Sequence, residues 1–282
     1  MSSCSCETAY PDRAWHGSAE VVENVSVAEG TYRIRVVCPE VAAEAVPGQF
    51  LMLRLNETDD PLLGRPLAMY DVVPDAAGQP WAVDVVYVAI GKMTRRLADV
   101  QPGSAIDVWG PLGNGFPPNA AQHLIMVGGG IGQTPFLALG QEALGRSYGS
   151  AERPVTRAER VTLCYGARSA NFLAGIEVEV ATDDGSAGRH GLVTELIEPL
   201  LEQSGGPCHI VCCGPEPMMK AVTEIAARRN VPCQVSLETP MACGMGICFS
   251  CVAKVKDDDG NWDYRRTCVE GPVFDGSKII FD

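Results

Sequence analysis

The stretch Leu124-Ile125-Met126-Val127-Gly128-Gly129-Gly130-Ile131-Gly132-Gln133-Thr134-Pro135 decides the fold of this chain. The apolar run reads as a buried strand, the glycines as a tight turn, and Pro135 to Leu144 as the helix which that turn opens. Strand, glycine turn and helix in that order begin an α/β unit. At such a turn a pyrophosphate meets free N–H groups and the positive end of the helix dipole. Gly128, Gly129, Gly130, Gly132 and Thr134 are therefore candidate nucleotide-binding residues, with close packing as the plainer alternative.

Downstream the alternation continues through Val161 to Tyr165, Ile176 to Val180, a helix over Leu192 to Leu201, His209 to Cys213 and a helix over Glu216 to Arg229. A second strand end, Cys213-Gly214-Pro215, puts another turn on the carboxyl edge of the same parallel sheet, where ligands of open α/β sheets bind. The neighbouring Cys212-Cys213 pair reads as core packing, because adjacent cysteines rarely meet disulfide geometry. Upstream, short β-rich runs such as Tyr32 to Val37, Phe50 to Leu55 and Val83 to Val88 alternate with Pro/Gly turns and suggest a small antiparallel barrel. Gly110 to Phe116 closes that barrel with a rigid turn series. Within it, Arg65-Pro66-Leu67-Ala68 and Gly91-Lys92-Met93-Thr94 each pair a possible anion contact with a turn.

The last fifty or so residues are too few to stabilise themselves by apolar burial, and they hold the strongest motif, Cys243-x4-Cys248-x2-Cys251-x16-Cys268. This is the plant-type [2Fe–2S] spacing: a glycine-rich turn supplies three thiolates, and the fourth returns from beyond a hairpin whose tip is Asp257 to Gly260. A zinc knot usually shows two C-x2-C pairs, whereas here there is one. The other eight of the 12 cysteines are scattered, with Cys4 and Cys6 in an aperiodic start.

A net charge of −13 without Lys/Arg clusters argues against nucleic acid and anionic membrane surfaces as partners. No apolar run approaches the roughly 18 residues of a bilayer span, and the start lacks an export signal, so a cytoplasmic protein with reduced thiols is expected.

Taken together, Arg65-Pro66, the turn Gly110 to Phe116, Gly128 to Pro135, Thr182-Asp183-Asp184-Gly185-Ser186, Cys213-Gly214-Pro215, Met241 to Cys248 and Cys268-x-x-Gly271-Pro272-Val273-Phe274 resemble the electron-transfer subunits of class 1B, NAD-dependent dihydroorotate dehydrogenases. The resemblance covers residues 18–282. The first 17 residues, which mix Ser, Cys, Pro and charge without periodicity, read as a disordered extension, and the resemblance implies a ferredoxin-reductase-like FAD barrel over 18–118, an α/β parallel-sheet NAD domain over 119–232 and a small [2Fe–2S] domain over 233–282. It further implies an oxidoreductase subunit of pyrimidine (UMP) biosynthesis, passing electrons between NAD and the FMN of a catalytic partner, with two of each subunit in a heterotetramer.

The resemblance places Arg65, Pro66, Leu67 and Ala68 along the flavin, Val86, Tyr87 and Val88 beside it, and Gly91, Met93 and Thr94 at its pyrophosphate. The family usually has Ser where Ala68 stands, which leaves only a backbone N–H near the flavin N5 edge, and Gly where Met93 stands. Gly128 to Thr134 and Cys213, Gly214 and Pro215 would hold the nicotinamide nucleotide. Asp183 and Asp184 stand where NADP-using relatives tend to place Ser and Arg; carboxylates there repel a 2′-phosphate and favour NAD(H). Cys243, Cys248, Cys251 and Cys268 would bind the cluster, and no residue is assigned to acid–base catalysis. Ferredoxin:NADP oxidoreductases and sulfhydrogenases share this domain order, although the former often replace the first cysteine by Asp. A cofactor-free scaffold with a structural metal is the alternative of a different class.

Overall fold

The computed structural model describes residues 13–56, 58–118, 121–147, 157–172 and 179–281. Six strands come first: β1 (Trp15–Ala28), β2 (Thr31–Val37), β3 (Phe50–Leu55), β4 (Arg65–Pro74), β5 (Pro80–Val88) and β6 (Ala105–Leu112). They close into an antiparallel barrel in the order β1-β2-β5-β4-β3-β6. Period-two alternation sends Ile34, Val36, Leu51, Leu53, Val83 and Val85 inward, all fully buried. Each such side chain contributes about 1.5–3 kcal/mol on leaving water. Helices α1 (Pro39–Glu44) and α2 (Lys92–Ala98) add Val41, Met93 and Leu97 to that interior. On the barrel wall the buried Asp84 accepts two bonds from Arg35, at 2.7 and 2.8 Å, so its charge is matched by a forked partner.

Strand β1 begins before the expected limit of the extension. Trp15 pairs with Gly110 and packs on the barrel core, so 15–17 are strand. Cys4, Cys6 and the rest of 1–12 lie outside the described residues.

The second layer set contains β7 (His123–Gly129), β8 (Arg160–Ala167), β9 (Glu179–Thr182), β10 (Arg189–His190), β11 (Cys208–Cys213) and β12 (Cys233–Ser236). A hairpin of β13 (Val252–Lys256) and β14 (Trp262–Arg266) follows, with Asp257 to Gly260 at its tip, and then β15 (Val273–Asp275). The sheet order is β10-β9-β8-β7-β11-β12-β15, parallel except for the last pair. Helices α3 (Phe136–Ala143), α4 (Ile197–Gln203) and α5 (Glu216–Arg229) accompany it. The expected helix over 192–201 is divided: Glu195 accepts from Leu192 N and holds a tight 3₁₀ turn over Val193–Leu196 before α4 begins. The strand expected over 176–180 is described only from Glu179, which opens β9.

The C-terminal fifty residues borrow stability from both larger layers. Strands β12 and β15 extend the parallel sheet, and Val235 and Ile279 join its core. On the barrel side, Phe50, Met52 and Leu112 pack with Cys251 and Cys268. The turn expected only to close the barrel also fastens this segment: Asn114 Nδ2 donates to Val273 O at 2.8 Å, Val273 N donates back to Asn114 Oδ1 at 3.1 Å, and Asn114 N donates to Gly271 O at 2.7 Å. Apolar burial therefore does for this segment part of what its length could not supply alone.

Candidate functional site

A groove of about 1090 Å³ opens where barrel, parallel sheet and C-terminal segment meet. The barrel contributes Thr31, Val88 and Ile90; the sheet contributes Gly129 to Gly132, Tyr165 to Arg168, Asp183 and Gly214 to Met219; the C-terminal segment contributes Leu237, Glu238 and Thr239. Both turns singled out in the sequence thus reach one cavity, on the carboxyl edge of the sheet.

The glycines are required there by close approach. A β-carbon on Gly132 would lie 2.3 Å from Cys213 O and 2.6 Å from Gly214 N, so the first turn rests directly on the backbone of the second. One on Gly129 would lie 2.7 Å from Met218 Sδ, and Gly130 adopts φ +56°. These contacts leave a cradle lined by backbone, which is what a phosphate needs. Gly128, Thr134 and Cys213 do not line the groove: the first two are buried behind it, and Cys213 supports Gly132 through its backbone while its side chain sits in the core. Burial pushes the Cys213 thiol well above its ordinary range, so it is inert at neutral pH.

The two aspartates part company. Asp183 lines the groove. Asp184 turns back on its own loop, accepting from Ser186 N at 3.0 Å and Ser186 Oγ at 2.6 Å, bonds that hold its carboxyl below the usual range.

On the barrel, strands β4 and β5 are neighbours whose pairing starts at Met69 and Val85, so Arg65 to Ala68 and Val86 to Val88 run on from the same end of that pair, the former paired with β3 and the latter with β2. Cross-strand partners share a face: Pro66 pairs with Met52 and Ala68 with Phe50, so Pro66 and Ala68 look outward. Arg65 is half-buried, its Nη1 donating to Leu63 O at 3.1 Å and Gly64 O at 3.0 Å. Three side chains expected at the flavin point elsewhere. Leu67 packs on the barrel core; Tyr87 is buried there, with its hydroxyl donating to Asn24 Oδ1 at 3.1 Å; Met93 is fully buried inside α2. Strand alternation explains the first two. Because the Met93 side chain points inward, its replacement of Gly does not fill the outer face of the loop. Thr94 Oγ1 accepts from Gly91 N at 3.0 Å and fixes the entry to α2.

Cys243, Cys248 and Cys251 lie on the loop before β13 and Cys268 on the turn after β14. Among the described residues no three His, Cys, Asp or Glu side chains are already drawn together around a metal position, and the closest approach is that of Cys251 and Cys268. Cys251 and Cys268 are buried with sulfurs 3.1 Å apart, while Cys243 is half-buried and Cys248 exposed. Gly244 (φ +72°) and Gly246 (φ +78°) shape the loop, and a β-carbon on Gly244 would strike Met52 Cγ at 2.7 Å. Met245 N donates to Cys243 Sγ at 3.3 Å, and the Ser250 hydroxyl, 3.2 Å from Cys248 Sγ, holds that thiol down to about 6. An available thiolate, an N–H aimed at sulfur and glycines that open the backbone are the donor chemistry an iron–sulfur cluster takes.

Several lining residues carry no motif. Thr31, Ile90, Tyr165, Arg168, Glu238 and Thr239 reach the groove through tertiary folding. Glu238 and Thr239 had one usable signal, their position just past the carboxyl end of a sheet strand. Partial desolvation raises the Glu238 carboxyl above its ordinary range.

Comparison with known proteins agrees with this geometry. A family model described as the iron-sulfur cluster binding domain of dihydroorotate dehydrogenase B matches residues 238–280. The chain is 33% identical over 273 residues to the dihydroorotate dehydrogenase B (NAD(+)) electron transfer subunit of Caldanaerobacter subterraneus subsp. tengcongensis, covering 95% of this chain and 99% of that one. To the subunit of the same name from Geobacillus thermodenitrificans it is 37% identical over 264 residues, covering 92% and 96%. Among solved structures, the NADH-dependent reduced ferredoxin-NADP oxidoreductase studied for flavin-based electron bifurcation superposes with a TM-score of 0.76 at 29% identity, covering 94% of this chain and 90% of that one. Near-complete coverage at this identity, together with the cluster-domain match, means that the chain belongs to the family of dihydroorotate dehydrogenase B (NAD(+)) electron transfer subunits.

Proposed function

We propose that this chain carries electrons between NAD(H) and a separate dihydroorotate-oxidising subunit, using FAD and a [2Fe–2S] cluster held by its own residues. The observation that supports this best is the meeting of the barrel edge, two nucleotide turns and the segment leading to the cysteine loop at one groove. When bound, FAD supplies the exchange between hydride transfer and the single-electron steps that the cluster carries.

The chain's own residues bind and orient. Arg65, already held by the carbonyls of the two residues before it, offers a cation at the flavin edge with little side-chain entropy left to lose. Val86 and Val88 present an apolar wall, and the residue 68 backbone serves where the family's hydroxyl is missing. Gly91 and Thr94 keep the loop to α2 in place for the pyrophosphate. Gly129 to Gly132 with Gly214 and Pro215 cradle the nicotinamide nucleotide, and Cys243, Cys248, Cys251 and Cys268 ligate the irons. The partner is the FMN-bearing catalytic subunit, in an assembly of two of each, and the site of action is the cytoplasm; among the described residues no helix is long and apolar enough to cross a membrane. Anaerobically isolated protein should contain two irons, two sulfides and one FAD per chain by elemental, sulfide and absorption analysis. Stoichiometric zinc without iron in the native protein would contradict the proposal.

Asp183 is the residue that selects NADH. The unsubstituted protein should favour NADH over NADPH in kcat/KM by about 10–200-fold, the scale of one charge clash. Asp183→Ser should narrow that gap, and Asp184→Ser should do so less, because Asp184 is engaged by Ser186. Flavin reduction followed in a stopped-flow spectrometer gives the ratio, and equal rates with both nucleotides before substitution would refute the assignment.

A further inference from the structure

The outer barrel face carries a row of side chains that leads from the cysteine loop to the flavin edge. Met52 on β3 pairs with Trp109 on β6 at one side and with Pro66 on β4 at the other, and cross-strand partners share a face. Gly244 of the cysteine loop lies flat on Met52. Trp109 stands at the end of the row with two attachments. Its Nε1 donates to Cys243 O at 3.0 Å. Its ring covers Gly64, where a β-carbon would come within 2.7 Å of Trp109 Cη2, and Gly64 is the residue whose carbonyl holds Arg65. The His16 ring meets the indole edge-on at 6.0 Å between centroids, which fixes its plane.

We propose that Trp109 is a positioning residue, a tether that fixes the cluster loop against the flavin-binding edge of the barrel. This rests on the cofactor assignment above. The indole N–H anchors the Cys243–Gly244 peptide, and the next peptide supplies the Met245 N–H that donates to Cys243 Sγ. Losing the anchor loosens the turn that aims this N–H at sulfur, and hydrogen bonds to cluster sulfurs tune the metal centre. Losing the ring as well uncovers Gly64 and frees the loop to shift relative to Arg65. Small displacements between reacting groups are expensive in rate.

The test compares unsubstituted protein, Trp109→Phe and Trp109→Leu, each isolated anaerobically with its cofactors. Trp109→Phe keeps an aromatic side chain at this position but removes the donor and the outer ring atoms, Cζ2 and Cη2, that reach Gly64. Iron and FAD content, the electron paramagnetic resonance line shape of the reduced protein and the rate of cluster bleaching after NADH addition are measured. Iron and FAD are expected to be equal in all three, the line shape to change in both variants, and bleaching to slow by roughly tenfold in Trp109→Leu. Unchanged line shape in Trp109→Phe, with iron retained, would overturn the tether even if Trp109→Leu failed to fold. Absence of iron from the unsubstituted protein would overturn the cofactor assignment and the tether together.

Discussion

The Cys248→Ser protein is expected to lose iron and sulfide while keeping FAD near one per chain, and to go on reducing ferricyanide with NADH. Each iron of a [2Fe–2S] cluster needs two thiolates, so one missing sulfur leaves an iron under-ligated. Cys248 is the exposed member of the set, and hydrogen bonding by Ser250 brings its thiol down to about 6, so it offers a thiolate at neutral pH. A serine hydroxyl stays protonated at neutral pH and offers a hard oxygen in place of a soft anion. The proposed flavin edge, by contrast, is built on β4 and β5 and draws its order from the barrel core, of which Cys248 is no member. Colorimetric iron and sulfide assays beside the flavin absorption decide the matter. Two irons per chain in the variant would mean that another group completes the ligand set.

Gly132→Ala is expected to have the second large effect. The added carbon would stand 2.3 Å from Cys213 O and 2.5 Å from Cys213 C, and backbone cannot rotate away as a flexible side chain can. The turn after β7 must separate from the turn after β11, and the nucleotide cradle opens. Overpacking of this kind costs about 1–3 kcal/mol, which for a chain of this size lowers Tm by roughly 2–4 °C per kcal/mol. Reduction of the flavin by NADH should fall much further than stability if the cradle seats the nucleotide as proposed. A Gly205→Ala control, where the added carbon meets nothing within 4 Å, should change neither. Thermal melts and NADH titrations of the two variants provide the comparison, and a Gly132→Ala protein with unaltered NADH affinity would contradict the site.

Much of this was legible before any coordinates. The glycine turn is recognisable because at Gly132 the neighbouring backbone leaves no room for a β-carbon and at Gly130 the backbone takes a positive φ, and the cysteine spacing because the cluster's need for two thiolates per iron recurs at that spacing. Barrel strands show through period-two alternation, and the same alternation is why Leu67 and Tyr87 point inward although their neighbours face out. A motif names a run of residues, whereas a site uses alternate members of it. Glu238 and Thr239 carry only the signal of their place past the end of β12, and Trp109 carries none, because its partner Cys243 is 134 residues away. The dependence of the C-terminal segment on both larger layers was invisible for the same reason: Asn114 and Val273 sit in runs that look complete by themselves.

The central claim is that electrons pass through this chain to a separate catalytic subunit. It is tested most directly by NADH formation from dihydroorotate and NAD⁺, followed at 340 nm, with the chain alone, the FMN subunit alone and the two mixed. Neither component alone is expected to form NADH, the mixture is expected to turn over, and that turnover is expected to be lost when the chain carries Cys248→Ser. NADH formation by the chain alone, or full turnover in the mixture containing the cluster-less variant, would contradict the claim.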